Sequence, residues 1–523
     1  MRVERSPAGA AGYAGTVSQA DPASSTTTAS APQSGDVPEQ VRVRLDKRAR
    51  LEDDGGLAYP AAVPVTHQIA EVRDGWGHLA AGEETPDAVG VAGRVVFIRN
   101  TGKLCFASLQ SGSGERLQVM LSRAEVGEEA LDRWKQLVDL GDHVFVRGRV
   151  VSSRRGELSV MAAEWRMASK ALRPLPVLHK ELSEEERVRR RYVDLIVRDD
   201  ARAMVRDRAA VMRAIRGVLE DDEYVEVETP ILQTVHGGAA ARPFHTHLNA
   251  FDLPMSLRIA LELYLKRAVV GGIERVYEIG RVFRNEGVDS THSPEFTMLE
   301  AYQAYGDQHT MADLTQRVIL AAADAVGERR LSSARGEVDL DGDWRWLPFY
   351  DALSATLGAD VDITTERDRL ASLVEEHGVT VDPSWDSQKV ALEAFSEIVE
   401  PQLLQPTFVC DYPAAAQPLA RPHREKPGLI EAWDLIIGGT ERATAFTELV
   451  DPVVQRQRLT EQSLRAAAGD AEAMQLDEDF LRALEHAAPP MGGMGLGIDR
   501  LLMLLTGTGI RETVLFPFVR PEA

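Results

Sequence analysis

The sequence predicts an α+β protein with two folded parts, an N-terminal antiparallel β-barrel and a larger unit in which an antiparallel sheet carries flanking helices. In the first part, five short segments between residues 89 and 165 alternate apolar and polar residues and are separated by glycine and serine turns. In the second part, helical and strand-like segments are not regularly interleaved, which favours a mixed antiparallel sheet over a doubly wound parallel sheet.

The composition is that of a large globular protein without a membrane segment. The chain has 523 residues, 44% of them hydrophobic and 27% charged. It has no apolar run close to the ~20 residues of a membrane span. The 59 Lys and Arg residues against 81 Asp and Glu residues give a net charge of −22, so any contact with nucleic acid requires a local basic surface. The two cysteines, Cys105 and Cys410, lie in separate apolar segments, which excludes a disulfide framework and predicts a cytoplasmic location.

The N-terminal residues precede the barrel in two predicted segments. Residues 1–40 are rich in Ser, Thr, Ala, Pro and Gly, which predicts a disordered tail. Residues 41–87 form a predicted helical and basic arm. Its basic residues include Arg42, Arg44, Lys47, Arg48 and Arg50. Such a run is either the solvated face of a helix, which is the usual case, or an arm that contacts phosphates.

The barrel is predicted for residues 88–172. Five strands in about 75 residues suit the OB-fold, a partly open barrel that binds oligonucleotides across one face. Phe106 and Gln118 lie in its predicted strands. The pattern leaves two interpretations of Phe106 open, a core residue or a residue that stacks on a base.

Residues 173–523 form the larger predicted unit, with a partly helical insertion at about 310–402. The unit begins with basic helical residues and a long amphipathic helix, which leads into an alternating strand at 224–228 that Pro230 ends. A hairpin is predicted at 338–346.

Arg284 and Glu286 are two residues apart in a segment that the pattern predicts to be extended, so they project to the same side. Such a pair is either a salt bridge on the surface of a sheet or a site for a phosphate and an exocyclic amine.

Two further strand-like segments place aromatic rings and carboxylates on one face. The residues concerned are Phe296, Met298, Glu300 and Tyr302 in the first segment, and Thr444, Phe446 and Glu448 in the second, which also contains Glu441. Burial of Glu300 without a cation would be costly, so either it is solvated or the pocket expects a positive ligand. Converging rings and carboxylates suit a ligand with an apolar stem and an ammonium head.

The glycine-rich segment from Met491 to Arg500 precedes an apolar helix near the C-terminus. It is too close to the end of the chain for a dinucleotide-binding unit, and we interpret it as a strand against whose backbone a ligand can lie. Arg500 then either binds a triphosphate, stacks on a base, or forms a structural ion pair with Asp499 or another neighbour.

Taken in this order, the segments resemble the class II lysyl-tRNA synthetases of the actinobacterial type, from about Val37 to the C-terminus. The helix and strand before Pro230 resemble the first motif of the class, FRNEG with HSPEFTMLEAY the second, and GMGLGIDR the third. The resemblance implies an anticodon-binding OB-fold and a catalytic antiparallel sheet. It also implies a homodimer that does not associate with membranes. Its implied substrates are lysine, ATP and tRNA(Lys), and its implied cofactor is Mg²⁺.

The resemblance assigns roles to individual residues. The implied ATP-binding residues are Arg284, Glu286, His292, Phe296, Glu441 and Arg500. Of these, Arg284 and Arg500 are the implied catalytic residues, on the α- and γ-phosphates. The implied lysine-binding residues are Gly238, Glu262, Glu300, Tyr302, Thr444, Phe446 and Glu448. The implied magnesium ligands are Asp434 and Glu441, and the implied anticodon-binding residues are Phe106, Gln118 and Glu157.

The chain departs from the family pattern near the lysine site. Thr444 stands where an asparagine commonly helps to hold the lysine carboxylate, Asp434 replaces a glutamate, and Met491 replaces a small residue. Three alternatives to tRNA charging for translation stay open. They are supply of lysyl-tRNA to another pathway, activation of a lysine analogue, and a catalytically silent RNA-binding role. The sister synthetases for aspartate and asparagine fit less well, because they would need a cation where Glu300 and Glu448 stand.

Overall fold

The computed structural model describes residues 38–176, 182–289, 291–333, 335–467 and 473–521. Contacts divide the chain into two units, of which the first ends at Leu175 and the second begins at Pro176. The predicted tail lies outside the described residues except for positions 38–40. Within the described ranges, no helix is both long and apolar enough to cross a membrane.

The described residues of the first unit, 38–175, form a closed five-stranded barrel with four helices. Its elements are α1 (Glu39–Asp53), α2 (Ile69–Trp76), β1 (Glu84–Asn100), β2 (Leu104–Gln110), β3 (Arg116–Ser122), α3 (Arg123–Val126), α4 (Glu128–Leu137), β4 (His143–Ser152) and β5 (Leu158–Ser169). The strands close in the order β1-β2-β3-β5-β4. The predicted OB-type barrel is therefore confirmed, and each of its five strands falls on one of the alternating segments.

Alternation along β2 explains why the barrel has a core and an open outer face. Cys105, Ala107 and Leu109 are fully buried inside it, whereas Phe106 between them is only half-buried. Successive strand residues point to opposite faces, so Phe106 lies on the outside of the barrel. Its interpretation as a core residue is wrong.

The second unit is built on one large sheet with helices. Its elements as far as α9 are α5 (Glu184–Arg189), α6 (Arg191–Val197), α7 (Asp199–Asp221), β6 (Val225–Glu226), β7 (Leu232–Gln233), β8 (His245–Leu248), β9 (Leu253–Leu257), α8 (Glu262–Val270), β10 (Arg275–Phe283), β11 (Glu295–Ala304) and α9 (Gln308–Val326). The remaining elements are β12 (Arg330–Ser333), β13 (Gly336–Asp339), β14 (Arg345–Pro348), α10 (Phe349–Leu357), α11 (Arg367–Glu376), α12 (Ser387–Ala394), β15 (Thr407–Cys410), β16 (Ala432–Ile436), β17 (Glu441–Thr447), α13 (Pro452–Ala467), α14 (Glu478–Leu484), β18 (Met491–Gly497), α15 (Ile498–Thr506) and α16 (Ile510–Thr513).

Eight strands form the main sheet in the order β14-β15-β16-β17-β18-β11-β10-β6. All pairs from β15 to β10 are antiparallel, and only the outermost strands, β14 and β6, pair in parallel. This confirms the predicted α+β class, in which the larger unit is built on an antiparallel sheet. The predicted strand at 224–228 is shorter than expected, because only β6 pairs with β10.

The predicted hairpin at 338–346 is wrong. Its first half belongs to β13, which pairs with β12 in a separate two-stranded sheet. Its second half is β14, which runs parallel to β15 in the main sheet.

One face of the main sheet is covered by α7, α9 and α15, and the other face carries the candidate site. Residues such as Leu299 and Ala301 of β11 are buried against these helices. The intervening residues Met298, Glu300 and Tyr302 therefore point away from the helices, because side chains alternate along a strand. Helix α9, at the start of the predicted insertion, packs in this core, while α10, α11 and α12 share a second core with β15 and β16.

Candidate active site

The open face of the main sheet forms the floor of a cavity of about 830 Å³. Strand register places its side chains in rows across the strands. One row runs from Tyr302 through Gly493 to Phe446. The next row runs from Glu300 through Gly495 to Thr444, with Asp434 on the strand beyond. The aromatic rings and carboxylates that the sequence placed on one face are therefore brought together.

Glycine is required where β18 crosses this floor. A Cβ on Gly493 would lie 2.5 Å from Cδ1 of Tyr302 and closer still to Cε1 of that ring and to Oε1 of Glu448. Gly495 is less crowded, since a Cβ there would meet its nearest atom, Cε of Met298, at 3.4 Å. The glycine-rich strand thus makes room for the side chains of its two neighbours, in addition to the ligand predicted to lie against it.

Glu300 is buried and accepts hydrogen bonds from two sides. The Leu261 N–H donates to its Oε1 at 3.0 Å, and the Tyr302 hydroxyl donates to its Oε2 at 3.1 Å. Burial, followed by the nearby charge of Glu262, nonetheless raises the pKa of Glu300 to about 7. The structure thus gives this carboxylate two donors and no cation of its own among the described residues, which leaves it suited to a positively charged ligand.

Glu448 and Glu262 lie at the same end of the cavity and share one buried cation. Lys266, one helical turn after Glu262 on α8, donates to Oε1 of Glu262 at 2.5 Å and forms an ion pair with Oε2 of Glu448. Its side chain is 1% exposed. Burial raises the pKa of Glu448 to about 8 and also raises the pKa of Glu262. Lys266 is not among the residues predicted from the sequence, although its spacing of four residues from Glu262 is visible there.

Gly238 also lines this end of the cavity. Its φ of +87° is one that residues with a side chain rarely adopt, and a Cβ would lie 3.1 Å from the Cβ atoms of Ala260 and Glu262. This glycine therefore allows the chain to approach Glu262 closely.

The opposite end of the cavity is lined by cationic residues. The Arg284 guanidinium lies 5.2 Å from the centre of the Phe296 ring, and burial lowers the pKa of Arg284. Glu286 lines the cavity as well, although β10 ends at Phe283. Strand alternation therefore does not extend to the Arg284–Glu286 pair, and the two residues reach the cavity from the loop that follows the strand.

Arg500 lies near Glu441, with Nη1 3.7 Å from Oε2. Its predicted alternative pairing with Asp499 is wrong, because Asp499 pairs instead with Arg208 at 2.6 Å and accepts the Thr297 N–H at 2.8 Å. Arg500 instead pairs with another neighbour, Glu441, to whose carbonyl oxygen it also donates at 3.4 Å, and it lines the cavity from the start of α15.

His292 is exposed at the rim of the cavity. Its Nδ1 lies 3.0 Å from Oδ2 of Asp289, and Asp289 also accepts the N–H groups of Thr291 and His292. These hydrogen bonds hold the pKa of Asp289 far below its usual range. His292 thus lines the cavity next to Asp289.

The predicted magnesium ligands lie on neighbouring strands but not equally near the cavity. Glu441 lines it, whereas Asp434 lies on β16 opposite Thr444. Burial, followed by the charge of Glu441, raises the pKa of Asp434 to about 7. Among the residues that the structure describes, no group of three acidic, His or Cys side chains is arranged to hold a metal ion.

The predicted anticodon-binding residues lie on the outer face of the barrel in the first unit. Gln118 donates from Nε2 to Oγ of Ser159 at 2.8 Å, and Ser159 donates to the carbonyl oxygen of Glu157 at 2.9 Å. Gln118 pairs across the strands with Ser108, two residues from Phe106. Phe106 and Gln118 therefore share one face, and Glu157 lies close to Gln118 at the start of β5.

Phe97 is a further aromatic residue on this face that the sequence analysis missed. It is 53% exposed and pairs with Ser108. A β-bulge between Val95 and Phe97 adds a residue to β1 and turns Phe97 outward. Residues 95–98 are all apolar, so the sequence does not show that Phe97 points outward.

Part of the predicted basic arm has a structural role. Arg44 is buried in α1 and donates to the carbonyl oxygens of Ala171 and Leu140 at 3.0 and 2.9 Å. Lys47 forms an ion pair with Asp139 at 2.6 Å. These two residues are therefore not available to phosphates, in contrast to the exposed Arg42 and Arg50 on the same helix.

Comparisons with known proteins agree with this geometry. Residues 183–520 match the family model of the tRNA synthetases class II (D, K and N), and residues 89–168 match that of the OB-fold nucleic acid binding domain. The chain is 60% identical to the lysine–tRNA ligase of Kineococcus radiotolerans and 56% identical to that of Mycobacterium tuberculosis. Each match covers 93% of this chain and 98% of the relative.

A more distant relative has an additional activity in its name. The chain is 47% identical to the lysylphosphatidylglycerol biosynthesis bifunctional protein LysX of Mycobacterium marinum, and the match covers 93% of this chain but 44% of that protein. The family model spans most of the chain, and the ligases match over nearly their full length. The chain therefore belongs to the class II tRNA synthetases and, within them, to the lysine–tRNA ligases.

Proposed function

We propose that this protein activates lysine with ATP to form lysyl-adenylate and transfers the lysyl group to tRNA(Lys). The observation that supports this function most directly is the buried acidic end of the cavity, where Glu262, Glu300 and Glu448 meet beside the rings of Tyr302 and Phe446. These buried carboxylates outnumber the cations that the protein places beside them, and aromatic rings form the walls of the site. Such a site favours a ligand that carries ammonium groups on an apolar stem.

We assign the two ammonium groups of lysine to different carboxylates. Glu262, at the start of α8, takes the α-ammonium, and Glu300 and Glu448 take the ε-ammonium. Tyr302 and Phe446 flank Gly493 in the floor, where their rings pack against the methylene groups. Gly238 and Thr444 complete the wall. A substrate with a side-chain carboxylate would meet Glu300 and Glu448 with the same charge, which disfavours aspartate.

The cationic end is proposed to bind ATP. Adenine would lie against Phe296 and donate a hydrogen bond from its exocyclic amine to Glu286, while Arg284, Arg500 and His292 face the phosphates. In the activation step, a carboxylate oxygen of lysine attacks the α-phosphorus, the bond from phosphorus to the bridging oxygen breaks, and pyrophosphate leaves. Arg284 stabilises the charge on the α-phosphate oxygens and Arg500 the charge on the departing pyrophosphate. Orientation of the two substrates supplies much of the remaining rate, so no general base is needed.

The donor set at Glu441 and Asp434 fits Mg²⁺. This ion is commonly held by one or two carboxylates together with substrate phosphates and water, and these two residues offer hard oxygen ligands of that number. When bound, Mg²⁺ would neutralise charge on the phosphate oxygens of ATP. Glu441 would hold it from the cavity side and Asp434 from the neighbouring strand.

We further infer a homodimer and a cytoplasmic location. Val225, Ile231 and Leu232 lie around the edge strands β6 and β7 and are 50%, 44% and 47% exposed. An exposed apolar edge of this kind favours a second copy of the chain as its partner. Sedimentation analysis of the purified protein would test the dimer, and Val225→Lys would be expected to shift it towards the monomer. Both cysteines are buried and free, which suits the cytoplasm.

In the barrel, Phe106, Gln118 and Glu157 are proposed to read the anticodon, with Phe106 stacked on a base. A catalytically silent RNA-binding role is disfavoured, because Arg284, Glu441 and Arg500 all line the cavity and a binding module has no need of them. The higher identity to the lysine–tRNA ligases than to LysX favours tRNA charging as the activity.

The test is pyrophosphate exchange measured with each amino acid in turn. We expect exchange with lysine and none with aspartate or asparagine, and the reverse pattern would refute the proposal. Arg284→Ala should abolish exchange while leaving tRNA binding unchanged, because the barrel residues lie elsewhere in the chain. A wild-type protein that binds tRNA but forms no adenylate would support the silent RNA-binding role instead.

A further inference from the structure

We propose that Lys266 is a positioning residue of the lysine site, whose ammonium holds the carboxylates of Glu262 and Glu448 in place and favours their ionised form. This inference rests on the proposed function, because it concerns how the same site recognises its amino acid. Lys266 itself is not proposed to touch the substrate or the reacting atoms.

The geometry makes Lys266 a link between two separate parts of the fold. Glu262 begins helix α8, and Lys266 follows it by one turn on the same helix face. Glu448 comes from the residue after β17, where its N–H donates to the Met491 carbonyl oxygen at 2.9 Å. The ammonium of Lys266 contacts both carboxylates and is almost completely buried. One side chain therefore fixes the distance between the helix and the strand end.

Lys266 lies behind the carboxylates rather than in the substrate space. The described residues that line the cavity include Glu262 and Glu448 but not Lys266. Neither oxygen of Glu448 has a well-aligned hydrogen bond in the described part of the structure, although Lys266 supplies the opposite charge nearby. Glu448 thus keeps its accepting capacity for a donor that enters from the cavity.

The charges of the site support a fixed cation here. Among the described residues, the groups at this end are three carboxylates, from Glu262, Glu300 and Glu448, the ammonium of Lys266 and the neutral hydroxyl of Tyr302, and the charge of Arg284 also acts on Glu300. With all three carboxylates ionised, these carboxylates and Lys266 together carry a net charge of −2, which the two ammonium groups of lysine would neutralise. Without Lys266 it would be −3, and a buried site would take up a proton rather than hold that charge.

Removal of the Lys266 charge should weaken lysine binding specifically. Lys266→Met and Lys266→Gln should raise the KM for lysine on the order of 30-fold at neutral pH, because truncation of one member of a buried charge pair leaves the other unpaired. The KM for ATP should stay unchanged. Loss of the cation raises the pH at which Glu262 and Glu448 ionise, so the fall of the lysine KM with pH should move to higher pH in both variants. Lys266→Arg, which keeps the charge, should retain the wild-type profile.

Chemical rescue separates charge from packing. Lys266→Ala leaves a cavity beside the two carboxylates, and methylammonium at millimolar concentration should lower its KM for lysine. Methanol, of similar size but neutral, should not. Lys170 provides a matched control in the barrel, because its fully buried side chain also pairs with two carboxylates, those of Asp139 and Asp142. Lys170→Met should lower thermal stability and leave the KM for lysine unchanged.

The outcomes are distinguishable. A wild-type protein that activates a different amino acid refutes the proposed function before any variant is made. A wild-type lysine KM and pH profile in Lys266→Gln, or equal rescue of Lys266→Ala by methylammonium and methanol, overturns the inference alone. If Lys266→Met does not fold, the lysine KM of Lys266→Gln and the rescue of Lys266→Ala test the inference.

Discussion

Replacement of Gly493 by alanine tests whether the floor of the cavity is built as described. The strand backbone permits alanine, because the φ of Gly493 is not in the left-handed region. The new Cβ would lie 2.5 Å from Cδ1 of Tyr302 and would overlap Oε1 of Glu448 still more. Both side chains belong to the proposed lysine site, so the substitution acts on lysine recognition through a single methyl group.

The expected magnitude follows from this overlap. A normal carbon–carbon contact of about 3.4 Å or more requires the Tyr302 ring to move by about 1 Å, and Glu448 must move with it. A misplacement of that size in a site that orients a substrate costs about 100-fold in efficiency. Stability should change less, since overpacking costs about 1–3 kcal/mol while alanine recovers about 0.5–1 kcal/mol of the backbone entropy of glycine.

The assay is pyrophosphate exchange with the lysine concentration varied, beside Gly495→Ala as the control on the same strand and face. A Cβ at Gly495 meets its nearest protein atom at 3.4 Å and displaces no protein atom. We expect Gly493→Ala to raise the KM for lysine far more than Gly495→Ala does. Equal effects on the lysine KM, or a larger effect at Gly495, would refute the described packing of Tyr302 and Glu448 around Gly493.

Three further predictions concern pH and tRNA. Burial raises the pKa of Glu300 to about 7 and of Glu448 to about 8, and ammonium groups bind the ionised forms. The KM for lysine should therefore fall as the pH rises from about 6 to about 8.5, with proton release on binding that calorimetry in two buffers detects. A pH-independent KM without proton release would contradict this. Phe106→Ala should weaken tRNA binding by about 1–3 kcal/mol and leave tRNA-independent exchange unchanged; loss of the thermal transition of the barrel would mean that this residue is structural instead. Neutralisation of Arg42 and Arg50 should weaken binding of all tRNAs and flatten its salt dependence, and an unchanged salt slope would exclude the arm from the interface.

The parts of the fold that sequence could predict depend on local pattern. The five barrel strands are short, amphipathic and separated by turns, so their alternation is visible without knowledge of their partners. The pattern at 338–346 gave a wrong prediction, because the strands in it do not pair with each other. Its two halves pair with β12 and with β15, and the second partner lies about 60 residues further along the chain. A turn signal between two apolar stretches predicts a hairpin only when both stretches belong to the same sheet.

The candidate site was predictable where its residues alternate within one strand. Glu300 and Tyr302 on β11, and Phe446 with Glu448 at the end of β17, reach the cavity because side chains two apart share a face. Lys266 could not be placed in this way. Its spacing from Glu262 is equally typical of an exposed helix pair, and only the packing of α8 beside Glu448 shows that it is buried.

The arrangement of β17 shows how one extra residue joins the two ends of the site. Simple alternation would put Glu441 on the opposite face from Thr444, yet both line the cavity. The register explains this, because Leu435 pairs with Ala443 while Ile436 pairs with Glu441, so Arg442 is the inserted residue of a bulge. The Arg442 guanidinium donates to the carbonyl oxygens of Ile437 and Arg500, at 3.1 and 3.0 Å. The bulge that turns Glu441 into the cavity therefore also ties the strand to the start of α15, and it holds the proposed metal ligand and the proposed phosphate ligand Arg500 side by side.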